Sequence, residues 1–314
     1  MISRRLLRIK VLKELYGYIV GKKNSLPIAE KELIFSINKT YEQYQYLFCF
    51  LPLLQEHAQS KIETGLHKFL PTDEEKNPNT RFIKNKVLKQ IANNKELTNF
   101  AAKNSLILSE AKHLISKMYN NIAEKDYFSA YMSLSKATFH QDKKLVMNIL
   151  NNEFEDFHDL YSMLEEQSIY WTDEPEFIVS IIIKTVKGIE KDKPFSLFPL
   201  YKNEDDEQFA ERLFRHSILN YDKYNELIDK HTPNWDVERI ALMDTLILVI
   251  AISEVLEFPG IPIKVTLDEY IDLARYYSTL NSSIFVNGVL DKIIEHFKQN
   301  RLLNKIKDSP QNIM

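Results

Sequence analysis

The sequence predicts an all-α protein, and three observations carry that prediction. Apolar residues recur at helical spacing along almost the whole chain. The period-two alternation of strands is nearly absent. Glycine, on which turn-rich β folds depend, occurs only six times in 314 residues. The hydrophobic share of 44%, the charged share of 27% and the net charge of −3 describe a globular chain. Its length suffices for one large or two ordinary domains with proper cores.

The first helix is expected from about Ser3, a good N-cap, to Gly21, a good C′ residue. A long helical stretch should follow Pro27, with Ile34, Ile37, Tyr41, Tyr44, Phe48 and Leu51 on one stripe. The segment 71–80, "PTDEEKNPNT", is polar with two prolines and reads as a loop. Helical patterns resume from Arg81 to about Lys191, broken at 172–176. The strongest boundary is 191–207, where two prolines precede an acidic run. Beyond it, 209–231 is amphipathic and ends before Pro233. The stretch 237–258 is apolar on nearly every face, the mark of a helix surrounded by others. Pro259-Gly260 stops it, and two more helices start at Thr266 and near Ser282.

Several chemistries lack any signal. The single Cys49 allows no intrachain disulfide, which fits a reducing compartment. The eight histidines include no pair at i,i+3 or i,i+4, so no metal site is expected. No phosphate-binding glycine loop and no nucleophile elbow occurs, so an enzyme has no positive support and no cofactor is expected. The longest uncharged apolar stretch, 245–253, is under half a membrane crossing. "SRRLL" at 3–7 superficially suggests an export signal, but Arg8, Lys10, Lys13 and Glu14 interrupt the apolar segment such a signal needs. A cytoplasmic protein is expected.

Charge is more informative locally. Residues 1–23 carry Arg4, Arg5, Arg8, Lys10, Lys13, Lys22 and Lys23 against Glu14 alone. The apolar stripe of the first helix, Leu12, Leu15, Tyr16 and Ile19, extends backwards onto Arg8 and Arg4. Arginines therefore stand where core residues belong. Either the first two turns overhang the bundle as a solvated basic end, or they line a groove that binds an anion such as nucleic-acid phosphate.

Three stretches resemble the NusB family of transcription antitermination factors. They are "SRRLLRIKVLKELYGY" at the N-terminus, "NWDVERIALMDTLILVIAISEV", and "IPIKVTLDEYIDLARYYSTLNSSIFVNGVLDKI", which includes the unbroken signature Phe285 to Asp291. The resemblance covers about 1–22 and 205–298. It departs from the family at Val249, usually arginine, and at Ser253, usually tyrosine. It implies a NusB-like helical bundle of two small subdomains, 1–23 with 201–300, and a helical domain of 24–200 inserted after helix 1. Residues 301–314 would form a flexible tail.

By the same resemblance, Arg4, Arg5 and Arg8 would contact RNA phosphates. Asn281, Ser282, Phe285 and Asn287 would form a single-strand RNA face, with Tyr16 and Glu238 meeting the ribosomal protein NusE. The implied partners are boxA-type RNA of ribosomal RNA operons, NusE and the RNA polymerase antitermination complex, with no membrane. Gly288, inside the signature, would let another helix or a ligand backbone approach closely, with helix contact favoured because Val286, Val289 and Leu290 flank it. Two alternatives stand beside this reading. One is a NusB-like scaffold that holds proteins and no RNA. The other is the helical part of a ribosomal RNA methyltransferase, which would need a Rossmann domain after it where only residues 297–314 follow His296.

Overall fold

The computed structural model describes residues 1–22, 25–154, 157–172, 175–232 and 240–303. They form sixteen α-helices and two short 3-10 turns, with no strand among them. In chain order the helices are α1 (Arg4–Val20), α2 (Leu26–Leu66), α3 (Asp73–Lys76), α4 (Lys86–Ala92), α5 (Lys95–Lys103) and α6 (Ser105–Glu110). Next come α7 (Lys112–Ala123), α8 (Asp126–Met132), α9 (Phe139–Glu153), α10 (His158–Gln167) and α11 (Pro175–Gly188). The last five are α12 (Glu204–Leu219), α13 (Tyr221–His231), α14 (Leu242–Glu257), α15 (Ile263–Tyr277) and α16 (Ser282–Gln299). Residues 304–314, the expected tail, lie outside the described residues.

Two boundaries differ from expectation for simple reasons. The loop 71–80 contains α3, because Thr72 and Glu75 form a capping box. Glu75 N donates to Thr72 Oγ1 (3.2 Å) and Thr72 N to Glu75 Oε2 (2.9 Å). Helix α15 starts at Ile263 rather than Thr266, with Pro262 at the N-cap in the extended conformation (φ −59°, ψ 138°) that an N-cap takes and that its ring permits.

The chain divides into two compact units, one of residue 1 with 38–200 and one of 2–37 with the described residues from 201 on. The first has its own aromatic core, with Tyr44, Phe48, Phe50, Phe82, Phe154 and Trp171 wholly enclosed. Trp171 stacks 4.9 Å from Tyr46 and donates from Nε1 to Lys39 O (2.9 Å), so its one polar atom is satisfied. Cys49 is buried in this core, and burial pushes its thiol up to about 12, so it has no thiolate character at neutral pH.

In the second unit α14 is the central helix, packed by α1, α12, α13, α15 and α16. Every residue from Leu246 to Val255 is buried, which is why its sequence shows no polar face. The two departures at Val249 and Ser253 fit this interior. Ser253 Oγ donates to Val249 O (2.9 Å) and lies 3.0 Å from the buried Ser217 hydroxyl, so a small polar pair replaces larger groups. Asn203 caps α12 by accepting from Asp206 N (2.9 Å), and four acids in its first turn complement the helix dipole.

Candidate nucleic-acid interface

Helix α1 begins where Ser3 accepts from Leu6 N (3.2 Å), and its first two turns carry the three arginines. The three do not share one environment. Arg8 is only 2% exposed. Its Nε and Nη2 donate to Glu254 Oε2 (2.7 Å) and Oε1 (2.9 Å), a bidentate pair. Nη1 lies 3.4 Å from Glu269 Oε2, and the guanidinium sits over the rings of Phe209 and Tyr270. Glu254 also accepts from Thr266 Oγ1 (2.9 Å) and Tyr270 OH (3.0 Å). Burial opposes the charge on Arg8, yet the hydrogen bond and charge of Glu254 hold its pKa above the usual arginine value. A phosphate has no access to it. Arg8 is a core ion-pair residue, and the expectation that it contacts RNA is corrected.

Arg4 and Arg5 are different. Each side chain is 36% exposed. Arg4 Nε donates to Asp206 Oδ1 (2.7 Å), and Arg5 Nη1 lies 3.4 Å from Asp272 Oδ2, which is also engaged by Arg275 at 2.6 Å. The Arg5–Asp272 pair, about a third exposed on both sides, is of the kind that contributes about 0–1 kcal/mol, so a phosphate can compete for it, whereas Asp206 is buried and holds Arg4 more firmly. Arg5 lies over Tyr276 (5.7 Å) and Lys13 over Tyr277 (5.8 Å), the last two residues of α15. The basic side of α1 therefore lies against the end of α15, and a turn of four residues, 278–281, leads from there into α16.

On α16 the predicted face separates into two sets. Asn281 and Asn287 are exposed. Ser282 is buried, donating to Asp244 Oδ2 (2.8 Å) and bonded to Thr279 across the turn (2.7 Å), so it anchors the helix start. Phe285 is buried with Val286, Val289, Leu290 and Ile293. These two residues face inward and are not part of an RNA surface, which corrects the expectation for both. The outward stripe is Asn281, Ile284, Asn287 and Gly288, with Ile284 74% and the preceding Leu280 fully exposed. Ile284 was legible as off-phase from the Phe285–Val289–Ile293 stripe, and Leu280 and the exposed Tyr276 carried no such signal.

Gly288 is exposed, and a Cβ built on it meets nothing within 4 Å. Close helix packing, the favoured expectation, is therefore wrong. The residue has no positive φ that would demand glycine. Gly288→Ala should accordingly stabilise the protein by about 0.5–1 kcal/mol, read as a higher urea midpoint. An unchanged or lower midpoint would contradict the open environment.

Of the partner-facing pair, Tyr16 is 41% exposed, while Glu238 lies outside the described residues. Among the described residues no group of His, Cys, Asp and Glu is arranged to hold a metal ion. No described helix is long and apolar enough to cross a membrane.

Comparison with known proteins places this unit. The NusB family model matches residues 183–295, a span that includes α12 to most of α16 and does not reach α1. The transcription antitermination protein NusB of Salinibacter ruber is 41% identical over 107 residues, 34% of this chain and 67% of that protein. That of Natranaerobius thermophilus is 34% identical over 99 residues, 32% of this chain and 71% of the relative. That of Thermodesulfovibrio yellowstonii is 37% identical over 92 residues, 29% of this chain and 61% of the relative. No solved structure gave a significant match.

Proposed function

Because the chain belongs to the NusB family, we propose that it acts in transcription antitermination by holding single-stranded RNA where the basic side of α1 meets the outward stripe of α16. The observation that carries this reading is the stripe itself. Two exposed amides, Asn281 and Asn287, flank an exposed Ile284 and an unhindered Gly288, with Arg5 and Tyr276 at the neighbouring helix junction. Single-stranded RNA is recognised by bases stacking on flat or apolar side chains and bonding to amides, with cations on the backbone. A glycine here permits a ribose or phosphate to approach the helix surface, a use that offsets its helix penalty.

The RNA is a boxA-type element of ribosomal RNA transcripts, bound together with NusE in the RNA polymerase antitermination complex. Tyr16 and Glu238 are the proposed contacts to NusE. The role is non-enzymatic. Residues 38–200, with their own core, are read as a helical domain inserted into the family's bundle. The compact units divide between residues 37 and 38, and the sequence reading put the start of the insertion at residue 24.

Asn287→Ala tests the RNA face. It should weaken boxA-type RNA by about 1–3 kcal/mol, the scale of one amide-to-base contact. A scrambled RNA should weaken far less. Equal loss for both sequences, or no loss, would remove Asn287 from base reading. The scaffold reading, protein contacts without RNA, is favoured by one observation: Arg4, Arg5 and Arg8 each have an acidic partner within the unit. Absence of RNA binding by the intact chain would favour it.

A further inference from the structure

The unit formed by residues 38–200 collects positive charge at one end. Asp142, itself buried, accepts from Lys86 N (3.0 Å), and its carbonyl accepts from Asn85 Nδ2 (3.1 Å), which sets the start of α4 beside the start of α9. Lys143 Nζ donates to Lys187 O (3.0 Å), joining α9 to the end of α11. Gln90 Nε2 donates to Glu190 O and Lys193 O, both at 3.0 Å, tying α4 to the segment after α11. These bonds bring together Lys84, Lys86, Lys89, Lys143 and Lys187, with Lys191 and Lys193 beside them.

Few acids offset this charge. Glu190 pairs with Lys193 (2.5 Å), and Asp192 with Lys191 (3.7 Å). Asp142 is turned inward onto Tyr131 OH (2.7 Å). Lys84, Lys86, Lys89 and Lys187 are exposed and have no ion pair among the described residues. Clustered like charges repel one another, cost folded stability and attract an anionic ligand.

A cavity of about 660 Å³ opens beside these lysines, bordered by Gln90, Asn93, Lys95, Lys193 and Phe195 and by two acids, Glu96 and Asp192. It offers amides, an aromatic ring and groups of both charges, so a base, whose N–H groups the carboxylates can accept, fits inside it better than a phosphate does. An acidic protein would use the lysines and leave the cavity idle, whereas a nucleic-acid strand uses both, phosphates on the lysines and a base in the cavity.

We propose that this face, on α4, α9 and the end of α11, is a second RNA-binding surface that holds the backbone of single-stranded RNA and seats a base in the adjoining cavity. It rests on the RNA-binding reading above only in the identity of the ligand, and it uses none of the same residues.

The test uses the full chain, a fluorescently labelled oligouridylate and a salt titration. The variant is Lys84→Gln/Lys86→Gln/Lys89→Gln/Lys187→Gln. Four phosphate contacts at about 0.7 each should flatten the log–log salt slope by about 3, and affinity at low salt should fall at least tenfold. The melting midpoint should not fall, because all four side chains are exposed and unpaired, and relief of their mutual repulsion acts only upward. Wild-type binding with unchanged slope and affinity in the variant overturns the proposal and leaves the α16 face standing. Loss in the lysine variant alone, with Asn287→Ala and Arg4→Ala/Arg5→Ala unaffected, supports the proposal and refutes the α16 face. No RNA binding by the wild type refutes both. Poly-glutamate binding that depends on the lysines, with RNA binding independent of them, assigns the face to an acidic protein and overturns the proposal.

Discussion

Arg8→Ala is expected to cost about 3–5 kcal/mol of stability, since it leaves Glu254 as an uncompensated buried charge. Glu254 is wholly enclosed and loses two charge-assisted bonds at once, keeping only Thr266 and Tyr270 as donors. For a unit of this size that loss corresponds to a melting midpoint roughly 10 °C lower. Arg8→Lys should recover only part of it, because an ammonium cannot make the bidentate contact. The double variant Arg8→Met/Glu254→Leu should melt well above Arg8→Ala, since replacing a buried pair by apolar groups is often nearly neutral. A single variant that melts as the wild type does, and loses RNA affinity instead, would return Arg8 to the RNA surface.

The second large effect belongs to the two half-exposed arginines. Arg4→Ala/Arg5→Ala should flatten the salt slope of RNA binding by about 1.4, two contacts at about 0.7 each. Affinity should fall about tenfold or more for any sequence, because backbone contacts position the strand and do not read it. Stability should fall by about 1–3 kcal/mol, mostly from Arg4, whose partner Asp206 is buried, while Arg5 loses only a solvent-screened pair. Fluorescence anisotropy at several salt concentrations measures the slope directly. A lowered melting point with an unchanged slope would make these arginines structural like Arg8.

The contrast among the three arginines explains what the sequence could reveal. The all-α class, the central burial of α14 and the break near 191–207 followed from periodicity, apolarity and proline placement. Arginine at core phase was visible too, but its partner was not. Glu254 sits in the most apolar helix, 246 positions away, and only the folded packing of α1 on α14 brings the two charges together. Ser282, assigned to the RNA face by resemblance, differs for a similar reason, since its hydroxyl turns to a buried aspartate 38 positions earlier. Phe285 was readable as core from Val289 at i+4 and Ile293 at i+8, and its RNA role rested on the resemblance alone. Gly288 shows the reverse case. Its apolar neighbours suggested packing, while its own angular position on the helix points it to open space.

The most direct measurement of the central claim is the affinity of the full chain for a boxA-type single-stranded RNA and for its scrambled counterpart, with and without NusE. The account predicts salt-dependent binding of the wild type, preference for the boxA-type sequence, and tighter binding when NusE is present. Equal affinity for both sequences with no effect of NusE, or no RNA binding under either condition, would contradict it.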